Sequence, residues 1–355
     1  MPRWAFLVPL IAVVVLLAAA MTPMRPWLAA VCAAALIGTV LAAVHHAEVV
    51  AHRTGEPFGT LVLALAVTVI EVALIVSMMI SAGLDGARLP RDTIFSAIMI
   101  ICNGVVGLCL LVGALKHHEQ TFRIEGAGSA LACLIALATL SLVLPAFTTS
   151  APGPTYTVPQ LAFASVASLV LWAVFVFVQT VRHRDYFLPV GHASEEDVHA
   201  PPPPPRLAWA SFALLLLSLV AVVGLAKALA PTIERAVAAA GAPGTVIGIA
   251  IALLVLLPET WAALRAARAN RLQTSLNLAL GSALASIGLT IPVVATASVW
   301  LGVPLTLGLE SKDLVLLTLT FIVGAITLAT GRTTVLQGAV HIVLFAAFLF
   351  LAFAP

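Results

Sequence analysis

Charge is what this chain has least of. Only 9% of its 355 residues are Asp, Glu, Lys or Arg, 62% are hydrophobic, and mean hydropathy is +1.14. A soluble domain carries about 25% charged residues. So few charges cannot cover a globular surface, and the chain reads as an all-α polytopic membrane protein whose surroundings are a lipid bilayer. The 17 Lys and Arg nearly balance the 15 Asp and Glu, leaving a net charge of +2 and no basic run. No nucleic-acid partner is expected. Cysteine is scarce as well: Cys32, Cys102, Cys109 and Cys133 lie in apolar stretches and form no CxxC pair. Neither disulfides nor a zinc site are expected, and these thiols read as small core residues. There is no HExxH and no pair of intramembrane aspartates, and the HHAE at residues 45–48 lacks a third metal ligand. Those absences argue against an intramembrane protease or lipid-modifying enzyme, and no cofactor is expected.

What is present is long apolar runs. A spanning helix needs about 20 mostly apolar residues. Eleven segments meet that need, at roughly 4–20, 27–45, 58–82, 93–115, 126–147, 159–181, 207–229, 244–266, 273–300, 313–330 and 333–353. Arg3 and the run after it resemble a signal peptide, but with ten more apolar segments behind it an uncleaved first transmembrane helix is expected. Residues 182–206, RHRDYFLPVGHASEEDVHAPPPPPR, are polar and end in five prolines and Arg206. That composition predicts an extended, solvated linker.

Lys and Arg counts orient the chain. The side holding the N-terminus collects Arg3, Arg53, Lys116, Arg123, Arg182, Arg184, Arg206, Arg265, Arg268, Arg271 and Arg332. Arg25, Arg88, Arg91, Lys227, Arg235 and Lys312 fall on the other side. The bias predicts a cytoplasmic N-terminus and linker, as expected for a protein of the bacterial inner membrane. With a first helix (1–26) set aside, five helices precede the linker (27–181) and five follow it (207–355). An odd number per unit turns the second unit upside down, and inverted repeats with a midplane site are a recurrent transporter architecture.

Each unit carries one glutamate in its second helix: Glu71 in the run 55–79 and Glu259 in the run 244–267. With helix entry near Phe58, Glu71 lies about 20 Å along at ~1.5 Å per residue, past the middle of a ~30 Å hydrocarbon core. An ionisable residue at that depth reads by default as part of an ion or proton pathway. Thr68 lies one turn before Glu71 on the same face. Glu259 follows Pro258, and a proline inside a helix removes one backbone hydrogen bond and frees a carbonyl. A carboxylate beside free carbonyls is a hard-oxygen site of the kind Ca²⁺ prefers. The next helix of each unit adds neutral polar groups, Asn103 in the first and Ser275, Asn277, Ser282 and Ser286 in the second. Gly104, Gly107, Gly281 and Gly288 allow close helix crossing there. His45, His46 and His52, with His117 and His118, lie at the predicted cytoplasmic membrane edge. Both a proton relay and plain interface histidines fit that position.

The stretch GEPFGTLVLALAVTVIEVALI with RDTIFSAIMIICNGVVGL, and LLPETWAALRAARANRLQTSLNLALGSALASIGLTIP, resemble the two signatures of the ChaA-type calcium/proton antiporters, within the calcium/cation antiporter superfamily. The resemblance implies eleven helices, inverted five-helix repeats and alternating access. It also implies cation and proton competing at Glu71 and Glu259 as the metal ligands, with Asn103, Asn277 and Ser282 carried over beside them. Similar proteins exchange Ca²⁺, and some Na⁺ or K⁺, for H⁺, so the partners expected here are small inorganic cations and protons. Two carboxylates that hold protons when the site is empty and release them to Ca²⁺ make binding exclusive and set about two H⁺ per Ca²⁺. A channel would conduct without that coupling, and channels often assemble symmetric rings of residues instead. The linker's Glu195, Glu196 and Asp197, flanked by His192 and His199, fit that family's variable cytoplasmic segment.

Overall fold

The computed structural model describes residues 2–54, 58–189, 203–239, 241 and 243–354, and they are predominantly helical. Every one of the eleven apolar segments lies on helix. They begin with α1 (Arg3–Met21), α2 (Pro26–Thr54) and α3 (Phe58–Ala82). The fourth is a composite of α4 (Leu89–Met99), a π-helical turn (Ile100–Val105) and α5 (Val106–His117). Then come α6 (Ile124–Ala138), α7 (Val158–Phe177), α8 (Pro205–Ala239), α9 (Thr245–Arg268), α10 (Leu272–Leu301), α11 (Ser311–Leu328) and α12 (Val335–Phe353). Thr157 with Gln160, and Thr334 with Gln337, form capping boxes that start α7 and α12.

Among the described residues nine helical stretches are long and apolar enough to cross a bilayer. A tenth is α9, bent by 54° between Thr245–Leu257 and Glu259–Arg268, if its two arms form one span. Helix α3 runs for 25 residues, Phe58–Ala82, and its stretch Leu65–Ile80 is apolar. Large apolar side chains stand on the outside of the bundle, among them Trp300 at 91% exposure and Trp209 at 72%. Water would penalise that surface and lipid would not. The chain is an integral membrane protein.

Two apolar cores hold the helices together. One gathers α4, α5, α6, α10 and α11 around Leu110, Leu134, Leu284 and Leu317; the other gathers α1, α2, α3 and α8 around Val40, Ile70 and Leu225. The helices α3 and α9 contribute to both, α3 through Ile75 and Ile70, α9 through Ala252 and Ile251. The glutamate-bearing helices therefore run along the seam between the cores. Pairing between the two halves of the chain is reciprocal: α2 packs on α8, α3 on α10, and α4 on α9. A Cβ on Gly248 of α9 would come within 2.9 Å of the Asp92 backbone, so glycine is what lets α4 and α9 close up. Gly104 and Gly107 similarly admit α12, and Gly288 admits Trp172, whereas Gly281 faces open space.

A two-residue antiparallel pairing, β1 (Gln120–Thr121) with β2 (Arg332–Thr333), ties the loop after α5 to the loop before α12. The linker departs from its expected extended form at both ends. Residues 184–187 make a 3₁₀ turn whose Phe187 is buried edge-on against Phe175. Helix α8 already includes Pro205 and Arg206. The reasons are local: Phe187 of RHRDYF finds apolar cover against Phe175, and proline fits the first turn of a helix, where its missing N–H costs nothing. The acidic piece, Glu195 to Asp197, lies outside the described residues.

Candidate ion-binding site

Glu71 sits on α3 with 4% of its surface exposed, and Ser286 of α10, 2% exposed, contacts both of its carboxylate oxygens. A buried carboxylate needs such partners, because charge or unpaired polarity in a low dielectric costs several kcal/mol. The contact bridges the two halves of the chain, joining the second helix of one to the third helix of the other. Thr68, one turn before Glu71, is buried beside it at 4% exposure. Ser282 precedes Ser286 by four residues on α10 and is half-buried, and Thr290, four residues beyond, is fully buried. Glu71, Thr68, Ser282 and Ser286 thus fall on the facing surfaces of α3 and α10.

Glu259 has a different setting. It stands where the two arms of α9 meet at their 54° bend. Thr260, directly after it, donates to the Leu256 carbonyl at 2.6 Å, so its hydroxyl serves the broken helix. Glu259 itself is half-buried, and its Oε2 is buried with no hydrogen-bond partner among the described residues. The charged groups acting on it are Glu71 and Glu48, a carboxylate on α2 that in turn feels Arg265. The two glutamates stand on helices from different halves, α3 and α9, that pack against each other. Carboxylates in such surroundings can take up protons or ligate a hard cation. Among the described residues no three His, Cys, Asp or Glu side chains converge as a metal cluster. Any cation held there takes its remaining ligands from hydroxyls, backbone carbonyls or water.

The asparagines are engaged elsewhere. Asn277 donates to the Phe187 carbonyl at 2.6 Å and accepts from Gln273 at 2.8 Å, so it pins the 3₁₀ turn after α7 to α10. Asn103, fully buried in the π turn, donates to Thr320 Oγ1 at 2.8 Å, and its Oδ1 lies 3.1 Å from His341 Nδ1. Two of the interface histidines bind backbone: His46 Nε2 lies 2.8 Å from the Ala5 carbonyl. His117 and Lys116 reach the Arg268 carbonyl at the end of α9, one of the orphan carbonyls that helix termini leave.

Sequence reasoning did not single out His341, Thr320 or Thr327. The signal was there for His341, a lone ionisable residue inside VLQGAVHIVLFAAF. It also missed a buried ion cluster: the guanidinium of Arg91, 2% exposed, meets Asp92 at 2.7 Å, Glu310 at 3.8 Å and the Gly308 carbonyl at 3.2 Å. A cavity of about 30 Å³ next to it is lined by Asp92, Ser96, Thr245, Glu310 and Asp313.

The family described as sodium/calcium exchanger protein matches residues 24–181 and 210–354 of the chain. Over 363 aligned positions, covering all of this chain and 97% of the other, it is 50% identical to y4hA of Sinorhizobium fredii, an ionic transporter by designation. It is 35% identical to the sodium-potassium/proton antiporter ChaA of Escherichia coli, covering 98% of this chain and 95% of that one. Among solved structures, native YfkE superposes with a TM-score of 0.74 at 18% identity, covering 99% of this chain and all of YfkE.

Proposed function

Because this chain belongs to the sodium/calcium exchanger protein family, we propose that it exchanges Ca²⁺ for H⁺ across the bacterial cytoplasmic membrane by alternating access. Cation/proton antiport is the activity named for a full-length relative at 35% identity. The observation that carries the reading is the glutamate pair on the seam: Glu71 on α3 from one half and Glu259 on α9 from the other, on helices that pack against each other between the two cores. An empty site with two bare carboxylates in a low dielectric is costly, so it fills with protons. A cation that displaces them restores neutrality by a different route. Each loaded form is near neutral and can change its side of access, and the doubly charged empty form cannot. The reciprocal pairing of α3 with α10 and α4 with α9 supports two inverted five-helix units, 27–181 and 207–355, around that site.

Ca²⁺ is favoured by the chemistry of two hard carboxylate oxygens beside hydroxyls and a helix break. The name of the Escherichia coli relative gives a second reading, Na⁺ or K⁺ as the exchanged cation on the same scaffold. The test is purified protein in liposomes with an imposed pH gradient, a trapped pH dye and a clamped membrane potential. Addition of Ca²⁺ should collapse the gradient in the wild type and leave it in Glu71→Gln. Collapse with Na⁺ or K⁺ but not Ca²⁺ selects the second reading. A gradient untouched by any cation defeats antiport.

A further inference from the structure

Away from the glutamates, a second buried polar system crosses three helices. His341 of α12 is 1% exposed in a stretch otherwise apolar. Its two ring nitrogens lie 3.1 Å from Asn103 Oδ1 and 3.1 Å from Thr327 Oγ1. The proton positions follow by elimination. Thr320 gives its hydroxyl proton to the Leu316 carbonyl at 2.7 Å, so toward Asn103 it can only accept. That turns the Asn103 amide nitrogen to Thr320 and its oxygen to His341. His341 Nδ1 must then carry the proton, and Nε2 accepts from Thr327.

This chain of bonds ends on the one irregular turn of the fourth span. In a π turn the hydrogen-bond ladder slips by one residue, and such turns cluster at functional sites. The turn Ile100–Val105 packs against α9, α10, α11 and α12 at once. Gly107 makes this possible, since a Cβ there would lie 2.7 Å from His341 Cβ and drive α12 away. So the turn that touches both the Glu259 helix and the Ser286 helix is held from its far side by one histidine.

We propose that His341 is a positioning residue for cation binding. Its Nδ1 proton fixes the Asn103 carboxamide and the π turn, and the turn sets how α9 and α10 bring Glu259 and Ser286 toward Glu71. The proposal rests on the antiport reading above. Asparagine can place an N–H near the Nδ1 position, whereas glutamine reaches the Nε2 position instead. The two variants therefore separate the proposed role from loss of a polar side chain.

The experiment is gradient collapse in proteoliposomes against cation concentration, for wild type, His341→Asn, His341→Gln, His341→Leu and Thr327→Val. Thermal unfolding in detergent is followed in parallel. In His341→Gln the half-saturating cation concentration should rise about fivefold, the size of one net hydrogen bond, with the maximal rate unchanged. His341→Asn should stay near wild type, and Thr327→Val, which frees the tautomer, should rise about twofold by the same measure. If His341→Leu does not fold, the asparagine, glutamine and valine variants carry the comparison. Glutamine and asparagine behaving alike, or a change in maximal rate with half-saturation unmoved, overturns the proposal. So does an unchanged leucine variant in a protein that exchanges. A wild type that exchanges nothing overturns the antiport reading and this proposal with it.

Discussion

Glu71 and Glu259 occupy matching places in the two halves, yet their surroundings differ. Glu71 lies on the uninterrupted helix α3, with Ser286 on both oxygens. Glu259 lies at the bend of α9, with one oxygen buried and without a hydrogen-bond partner among the described residues. A satisfied carboxylate is ready to stay as it is. An unsatisfied one beside a broken helix is ready to take a proton or a cation. On the proposed antiport reading, that difference assigns Glu71 the task of anchoring the site and Glu259 the task of exchanging its partner.

The largest expected effect tests what they share. Glu71→Gln and Glu259→Gln should each abolish exchange while the protein stays folded, and the double variant should be no worse than either single one, because the pair acts as a unit. Residual exchange in one of the singles, read by gradient collapse, would remove that residue from the site. Next is Pro258→Ala, which restores a backbone N–H to α9. It should slow exchange while raising thermal stability, since the bend then no longer opens the helix beside Glu259; an unchanged rate would detach the bend from transport. Ser286→Ala leaves Glu71 without its partner and should cost about 1–3 kcal/mol in stability, the penalty of a buried unsatisfied group, measured by thermal unfolding in detergent. No loss there would mean that Glu71 and Glu259 are alike after all. Acidification should raise the half-saturating cation concentration, because protons and cations compete for the same oxygens and ligands must be deprotonated to bind. Half-saturation independent of pH would separate the proton from the cation site. The smallest effect is expected for half-buried Ser282→Ala, within about twofold in half-saturation, less than one net hydrogen bond.

Much of this was legible in the order of residues. Eleven apolar runs are a one-dimensional signal, and each coincides with helix because lipid leaves the backbone no other partner than itself. Glu71 and Glu259 were equally visible, as lone carboxylates in runs that should have none. Ser286 was visible only as one of several neutral polar groups on the helix after Glu259, and the fold is what places it on Glu71. The asparagines were harder. Composition marks Asn103 and Asn277 as costly to bury, but not which neighbour offsets that cost. Asn277 meets the Phe187 carbonyl, 90 residues away in the chain, and Asn103 meets His341, 238 residues away.

By itself, then, the sequence determined the membrane setting, the helices and the two acidic positions, because each follows from hydrophobicity along a short stretch of chain. The tertiary structure alone decided which helices share a seam, which glutamate finds a hydroxyl and which is left facing a bend. It also decided that His341 closes on the π turn. Those outcomes depend on packing between segments from opposite halves of the chain, where a glycine at position 107 or 248 sets the approach of two helices, and no local pattern encodes who the neighbour will be.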